Sequence, residues 1–209
     1  MTKVVAFKGK ETNTPDNVLR KVPSRPKNLD VRSREYLLPD EVEALMKAAG
    51  QVGRHRLRDR ALILVGYRHG LRVTELVELK WDQFDLKRRQ VHINRLKNGS
   101  AATHPIEGDE LRLLRRLQRE YPGAPFVFTT ERGGPLTRST VSKLMTRAGQ
   151  NVELGFPVHP HMLRHGTGYY LANKGIATRT IQAYLGHKSI QHTVRYTELS
   201  AKAFERIWS

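Results

Sequence analysis

After residue 35 apolar residues recur at helical spacing over most of the chain, and before it they hardly recur at all. Val42, Leu45 and Met46 share one face of a helix that Pro39 suits at its first turn and Gly50 stops. The stretch RDRALILVGYRHG is apolar nearly all round, which predicts a second, central helix ending at Gly70. A short helix over 73–79 follows. In FDLKRRQVHINRLKNGSAATHPI the period falls to two and turn residues gather at 87–89 and 97–100, so two or three short antiparallel strands are expected. Helical spacing returns over 108–120, and FVF at 126–128 reads as a buried strand or extended link. Further helices are expected over 137–149, 160–173, 177–185 and 190–196. The fold class is mainly α with a small antiparallel β-sheet (α+β), in one domain over 35–209 with no internal repeat.

Charge turns attention from fold to partner. The 209 residues hold 37 Lys and Arg against 20 Asp and Glu, a formal charge of +17. Such an excess favours a polyanion, because each neutralised phosphate releases condensed counterions. A ribosome-associated protein, or one that is basic only for solubility, is the plainer alternative. Residues 1–34 carry nine basic and three acidic side chains with three prolines, and read as a flexible basic arm. Lying on DNA and acting as a solubilising tail fit that arm equally well. There is no cysteine, so disulfides, thiolate metal sites and cysteine nucleophiles are excluded. No apolar run is long enough to span a membrane and nothing resembles a secretory signal, so a cytoplasmic protein with no membrane contact is expected.

The densest chemistry lies in HPHMLRHG, residues 159–166. On a helix starting near Pro160, His161 and Arg164 share a face, and His165 stands one turn beyond His161. The His161/His165 spacing is also a metal-ligand spacing, but Met162 stands where a hydrolytic zinc helix has glutamate, and Arg164 sets a fixed charge beside the cation. Arginine beside histidine suits a phosphate better: the planar fork grips two oxygens while imidazole moves a proton. A surface helix with satisfied histidines remains open on this stretch alone.

Other motifs narrow the choice. GLRVTELVELKW places Arg72 after a glycine turn, RLKNGSAATHPI puts Lys97 in a turn, and AYLGHKSIQHTVRYTEL carries His187 and Tyr196. Arg, Lys, His-x-x-Arg, Leu-Gly-His and Tyr in this order resemble the catalytic set of the tyrosine recombinase (phage integrase) family, over residues 35–209. The stretch from HPHMLRHG to VRYT is most similar to the short fimbrial phase-variation DNA invertases of that family.

The resemblance implies a site-specific DNA recombinase working through a 3′-phosphotyrosyl link, with Tyr196 as nucleophile and no cofactor or metal. It implies that His161 is the general base, Lys97 the acid, and Arg72 and Arg164 the clamps on the phosphorane, with His187 bonding the phosphate or supporting Tyr196. Glu75 and His165 are expected behind them. Lys80 is a distant rival to Lys97. Among the other tyrosines, Tyr169, Tyr170 and Tyr184 fall in apolar helical patterns and read as core, while Tyr36, Tyr67 and Tyr121 lack the basic-catalytic neighbourhood of Tyr196.

The implied partners are double-stranded DNA with inverted-repeat recombination sites, a homotetramer in the synaptic complex, and accessory DNA-bending proteins. About 34 residues before the catalytic region are too few for the clamp domain many members carry. Leu199, Phe204, Ile207 and Trp208 could form a small apolar helix docking on its own subunit or a neighbour. An integrase or resolvase of a mobile element, a non-catalytic DNA-binding relative and a type IB topoisomerase are the alternatives.

Overall fold

The computed structural model, described for residues 34–95 and 100–198, holds eight α-helices and a three-stranded sheet. Helix α1 (Pro39–Ala49) begins where the Leu38 backbone N–H donates to Glu41 at 2.7 Å, with Pro39 in the first turn, and ends at Gly50. Helix α2 (Arg56–Arg68) is the central one: Ala61 through Val65 are all buried, as its all-round apolar pattern requires. It packs against α1, α4 (Gly108–Glu120) and α6 (His161–Asn173). Between α2 and α4 lie the short α3 (Val73–Val77), a 3₁₀ turn and the sheet.

Strands β1 (Phe84–Asp85), β2 (Gln90–Ile93) and β3 (Ala102–Pro105) pair antiparallel in that order, with Phe84 opposite Val91 and Val91 opposite His104. Burial along β2 alternates, with Val91 and Ile93 inward and Gln90 and His92 outward, as the period of two predicts. The first turn is made by Asp85, whose carboxylate accepts from the backbone N–H groups of Lys87 (3.0 Å) and Arg88 (2.8 Å). FVF is the extended link of the two readings, with Val127 and Phe128 buried and Val127 N–H donating to the Leu79 carbonyl at 2.9 Å.

Helix α5 (Arg138–Gln150) is capped by Thr137, whose hydroxyl accepts from the Thr140 backbone N–H at 3.1 Å. The chain then enters α6, α7 (Thr178–Leu185) and α8 (Gln191–Glu198). These three enclose a second, smaller core of Ala172, Ile181, Leu185 and Tyr196, flanked by Tyr169, Leu171 and Tyr184. Tyr170 corrects the sequence expectation. One residue past Tyr169 it has turned about 100° round the helix, and it is 39% exposed, with the Lys174 ammonium over its ring. Most of the basic arm (1–33) and the apolar tail (199–209) lie outside the described residues. Among the described residues no helix is long and apolar enough to cross a membrane.

Candidate active site

Arg72 stands at the start of α3, immediately after the turn that ends α2, and its side chain is 27% exposed. Glu75, one turn on and buried, accepts from the Arg72 guanidinium at 2.7 Å and from the Arg72 backbone N–H at 2.9 Å. One carboxylate thus fixes both ends of the arginine. Burial pushes the Glu75 carboxyl up, but the Arg72 N–H and the Arg95 and Arg164 charges outweigh it, and its pKa lies below the usual carboxylate range.

Arg164 lies in the first turn of α6 and is 1% exposed. Its two terminal nitrogens donate to the Gly70 carbonyl (2.6 Å) and the Leu185 carbonyl (2.7 Å), tying the turn after α2 to the end of α7. Burial presses its pKa down to about 9, and the like charges of Arg72 and Arg95 press the same way. It stays charged at neutral pH, in a region holding more positive charge than its single carboxylate balances. An anion with several oxygens would relieve that imbalance.

Tyr196, on α8, is 1% exposed and its ring lies against α6 at Gly168, where an added Cβ would come within 2.6 Å of it. Its Oη is 2.8 Å from His165 Nδ1, and Tyr169 packs edge-on to its ring. Arg195 lies over the Tyr196 ring and reaches His165 Nε2 at 2.8 Å. Burial raises the Tyr196 pKa above its ordinary value, while Arg195 and Arg164 oppose the rise, so the hydroxyl is protonated in the free protein.

His161, exposed at the start of α6, packs edge-on to His165 with ring centroids 4.4 Å apart. His187 follows the left-handed Gly186, bonds Thr193 Oγ1 through Nδ1 at 2.8 Å, and stacks on the Tyr196 ring. Desolvation first, then neighbouring charges, lower all three imidazoles: His161 to about 4, His187 to about 3, His165 to about 2. Each is neutral at pH 7 and able to accept a proton.

The fold therefore gathers Arg72, Glu75, His161, Arg164, His165, His187 and Tyr196 from α3, α6, α8 and the turn after α7. His165 rather than His161 meets the Tyr196 hydroxyl. Lys97 lies outside the described residues. His159 pairs with Glu35 at 3.2 Å and His192 is exposed. Among the described residues no three His, Asp or Glu side chains are grouped to hold a metal ion.

Two features escaped the sequence reading. Arg95 is buried beside Glu75; the alternation Val91, Ile93, Arg95 places it on the inward face of the hairpin and could have exposed it. A buried chain also joins Glu110 to His69 (2.8 Å) and His69 to His104 (3.2 Å), and His104 stacks on Tyr184. No spacing rule announces it, because its members come from four elements.

A helical domain whose C-terminal helix buries a tyrosine beside two arginines and neutral histidines is the arrangement of a tyrosine recombinase catalytic domain. The family model described as "Phage integrase family" matches residues 35–203, and the chain belongs to that family. Among curated relatives, the Type 1 fimbriae regulatory protein FimB of Escherichia coli K12 is 41% identical over 184 residues, covering 86% of this chain and 92% of FimB. FimE of the same strain is 42% identical over 183 residues, covering 84% and 91%. Among solved structures, the XerA recombinase superposes with a TM-score of 0.70 at 26% identity, over 80% of this chain and 61% of XerA. XerH site-specific recombinase bound to difH substrate gives 0.68 at 23% identity, over 84% of this chain and 53% of XerH. This chain thus spans little more than half the length of those solved recombinases.

Proposed function

We propose that this protein is a site-specific DNA recombinase that cuts and rejoins strands through Tyr196, inverting a DNA segment between inverted-repeat sites. The observation that carries the reading is the enclosure of one tyrosine by excess guanidinium charge and neutral imidazoles. The resemblance to fimbriae regulatory proteins supports inversion of a promoter element over integration.

The step balances without ATP. The Tyr196 oxygen attacks phosphorus and the bond to the 5′ oxygen breaks, leaving a 3′-phosphotyrosyl link and a free 5′-hydroxyl. The phenol proton leaves by way of His165, 2.8 Å from the hydroxyl, to His161 packed edge-on against it as the general base, both neutral at physiological pH. Lys97 supplies a proton to the departing oxygen. Arg72 and Arg164 bind the equatorial oxygens where charge builds up. His187 supports the tyrosine ring from the side. Attack by the partner strand's 5′-hydroxyl reverses the sequence and restores Tyr196.

His165 stands directly against the nucleophile: its Nδ1 is 2.8 Å from the Tyr196 hydroxyl, the Arg195 guanidinium contacts both of its ring nitrogens, and the imidazole holds the phenol for attack.

On DNA, four protomers assemble, each contributing its own charge excess, with residues 1–34 as a basic arm along the backbone and bending proteins aiding synapsis. The test is covalent capture. Protein is incubated with fragmented host DNA, and fragments that stay attached in SDS are recovered and sequenced. Wild type is expected to yield one locus with inverted repeats flanking a promoter. Repeats in direct orientation, or attachment sites of a mobile element, would replace inversion with excision or integration.

A further inference from the structure

We infer that Arg95, which lies outside the proposed catalytic set, is a positioning residue of the cleavage site, sharing the Glu75 carboxylate with Arg72 and cross-linking the backbone segments that Arg164 also ties. This role rests on the strand-cleavage reading above.

The geometry is a matched pair of guanidiniums. Arg164 donates to Gly70 and Leu185. Arg95 donates to the carbonyls one residue earlier on each segment, His69 at 3.1 Å and Tyr184. Two consecutive carbonyls after α2 are thereby held against two consecutive carbonyls at the end of α7. Arg72 follows the first pair by two residues, and His187 follows the second by two. Arg95 also donates to Glu75 Oε2 at 3.0 Å, while Arg72 occupies Oε1 at 2.7 Å.

The charge arrangement makes this more than a brace. A carboxylate shared by two guanidiniums cannot neutralise both. With Arg95 in place, Arg72 is oriented by Glu75 and keeps much of its charge for the phosphate. With Arg95 gone, more of the carboxylate's charge falls to Arg72, and the site loses one of its guanidiniums. Stability alone gives little reason to keep an ion here, since apolar replacement of a buried pair is often neutral or stabilising. The Arg95 side chain is 0% exposed, its Nε has no hydrogen-bond partner among the described residues, and burial lowers its pKa. The Leu-Gly-His turn is shaped around it. Gly186 has φ +63, and a Cβ there would stand 2.6 Å from Arg95 Cγ. Lysine could not replace this side chain, having one nitrogen where the His69, Gly70 and Tyr184 carbonyls and the Glu75 carboxylate, on three segments, are bridged.

A double-mutant cycle on the captured DNA site, built as a nicked suicide duplex, tests the inference. Single-turnover adduct formation, DNA affinity at fixed salt and thermal unfolding are measured for wild type, R95M, E75Q and R95M/E75Q. R95M is expected to slow adduct formation about 10–100-fold, the scale on which partners one step behind a charged centre act. Its DNA affinity is expected to stay within about threefold, because that is set by many phosphate contacts. Removing the Glu75 charge should recover about tenfold of the loss in R95M/E75Q, and in the E75Q background R95M should cost little, as coupled charges require.

If R95M alone does not fold, R95Q, which keeps amide donors for the backbone carbonyls but removes the charge, carries the test: slowing that Glu75→Gln relieves supports the role, and cleavage at the wild-type rate overturns it. R95M cleaving like wild type, or slowing that Glu75→Gln leaves untouched, overturns the role. So does a parallel loss of cleavage, affinity and unfolding temperature. The control separates this failure from that of the underlying reading. An adduct from wild type and none from Tyr196→Phe leaves the nucleophile standing whatever Arg95 does, and no adduct from wild type removes both.

Discussion

Arg164 and the three lowered imidazoles set the chemistry at the scale of single residues. Histidine ordinarily titrates near pH 6.5, where a general base would lose activity just below neutrality. Here desolvation by the surrounding side chains, with the Arg164 charge close by, holds His161 at about 4 and His187 at about 3. Both therefore remain neutral as pH falls through 6.5, and the base stays available. Single-turnover cleavage is expected to be flat between about pH 6 and 8, declining only as His161 protonates near pH 4. An inflection near 6.5 in the rate profile would show that His161 is not held down, or is not the base. HPHMLRHG was ambiguous when read alone, because helical spacing puts His161, Arg164 and His165 together without saying what faces them. The answer depends on Tyr196, which lies 31 residues beyond His165 and reaches it only through the packing of α8 on α6.

Helix-scale packing decides whether the nucleophile is in place. Tyr196 seats on α6 because residue 168 has no side chain. A Cβ there would meet the ring carbons Cε2, Cδ2 and Cζ at 2.6–2.7 Å, closer than real Cβ contacts come. Gly168→Ala is therefore expected to push α8 outward, lowering stability by about 1–3 kcal/mol, the usual cost of overpacking. It should also slow adduct formation while leaving DNA binding in place, checked by thermal unfolding beside the cleavage and binding assays. At this scale the sequence was readable. Periodicity marked α1, the alternating β2 and the last three described helices, because each buries one face against a core, and an all-round apolar run marked α2. What escaped it was polar and non-local. Arg95, two residues past β2, continues its inward alternation at a position the pattern reserves for apolar residues. Tyr170 was read as core because two adjacent tyrosines cannot be told apart without knowing which side of α6 is covered.

Over the whole molecule, buried neutral histidines make stability depend on pH. His104 and His165 are buried, with pKa values of about 3 and about 2, each lowered first by desolvation. The unfolded chain takes up these protons near 6.5 and the folded chain does not. Stability is therefore full above that value and is lost as pH falls toward the folded values. At about 1.4 kcal/mol per pH unit for each group, the two together should cost roughly 2–3 kcal/mol one unit below the unfolded pKa. Urea unfolding at pH 7.5 and 5.5 reads the difference, and equal stability at both would contradict the buried neutral state. The charge of +17 that first pointed to a polyanion is a property of this scale too. It set the class of partner but not the DNA sequence, because phosphate contacts and base contacts draw on the same arginines and lysines.

The central claim is that Tyr196 becomes covalently joined to DNA, and one gel tests it. Purified protein is incubated in EDTA with a nicked suicide duplex carrying the captured site, and the products are run in SDS. Wild type should give a slow band whose tryptic digest carries the nucleotide on the peptide containing Tyr196, and Tyr196→Phe should give none. An adduct of equal yield from Tyr196→Phe, or one mapped to another residue, would contradict the account.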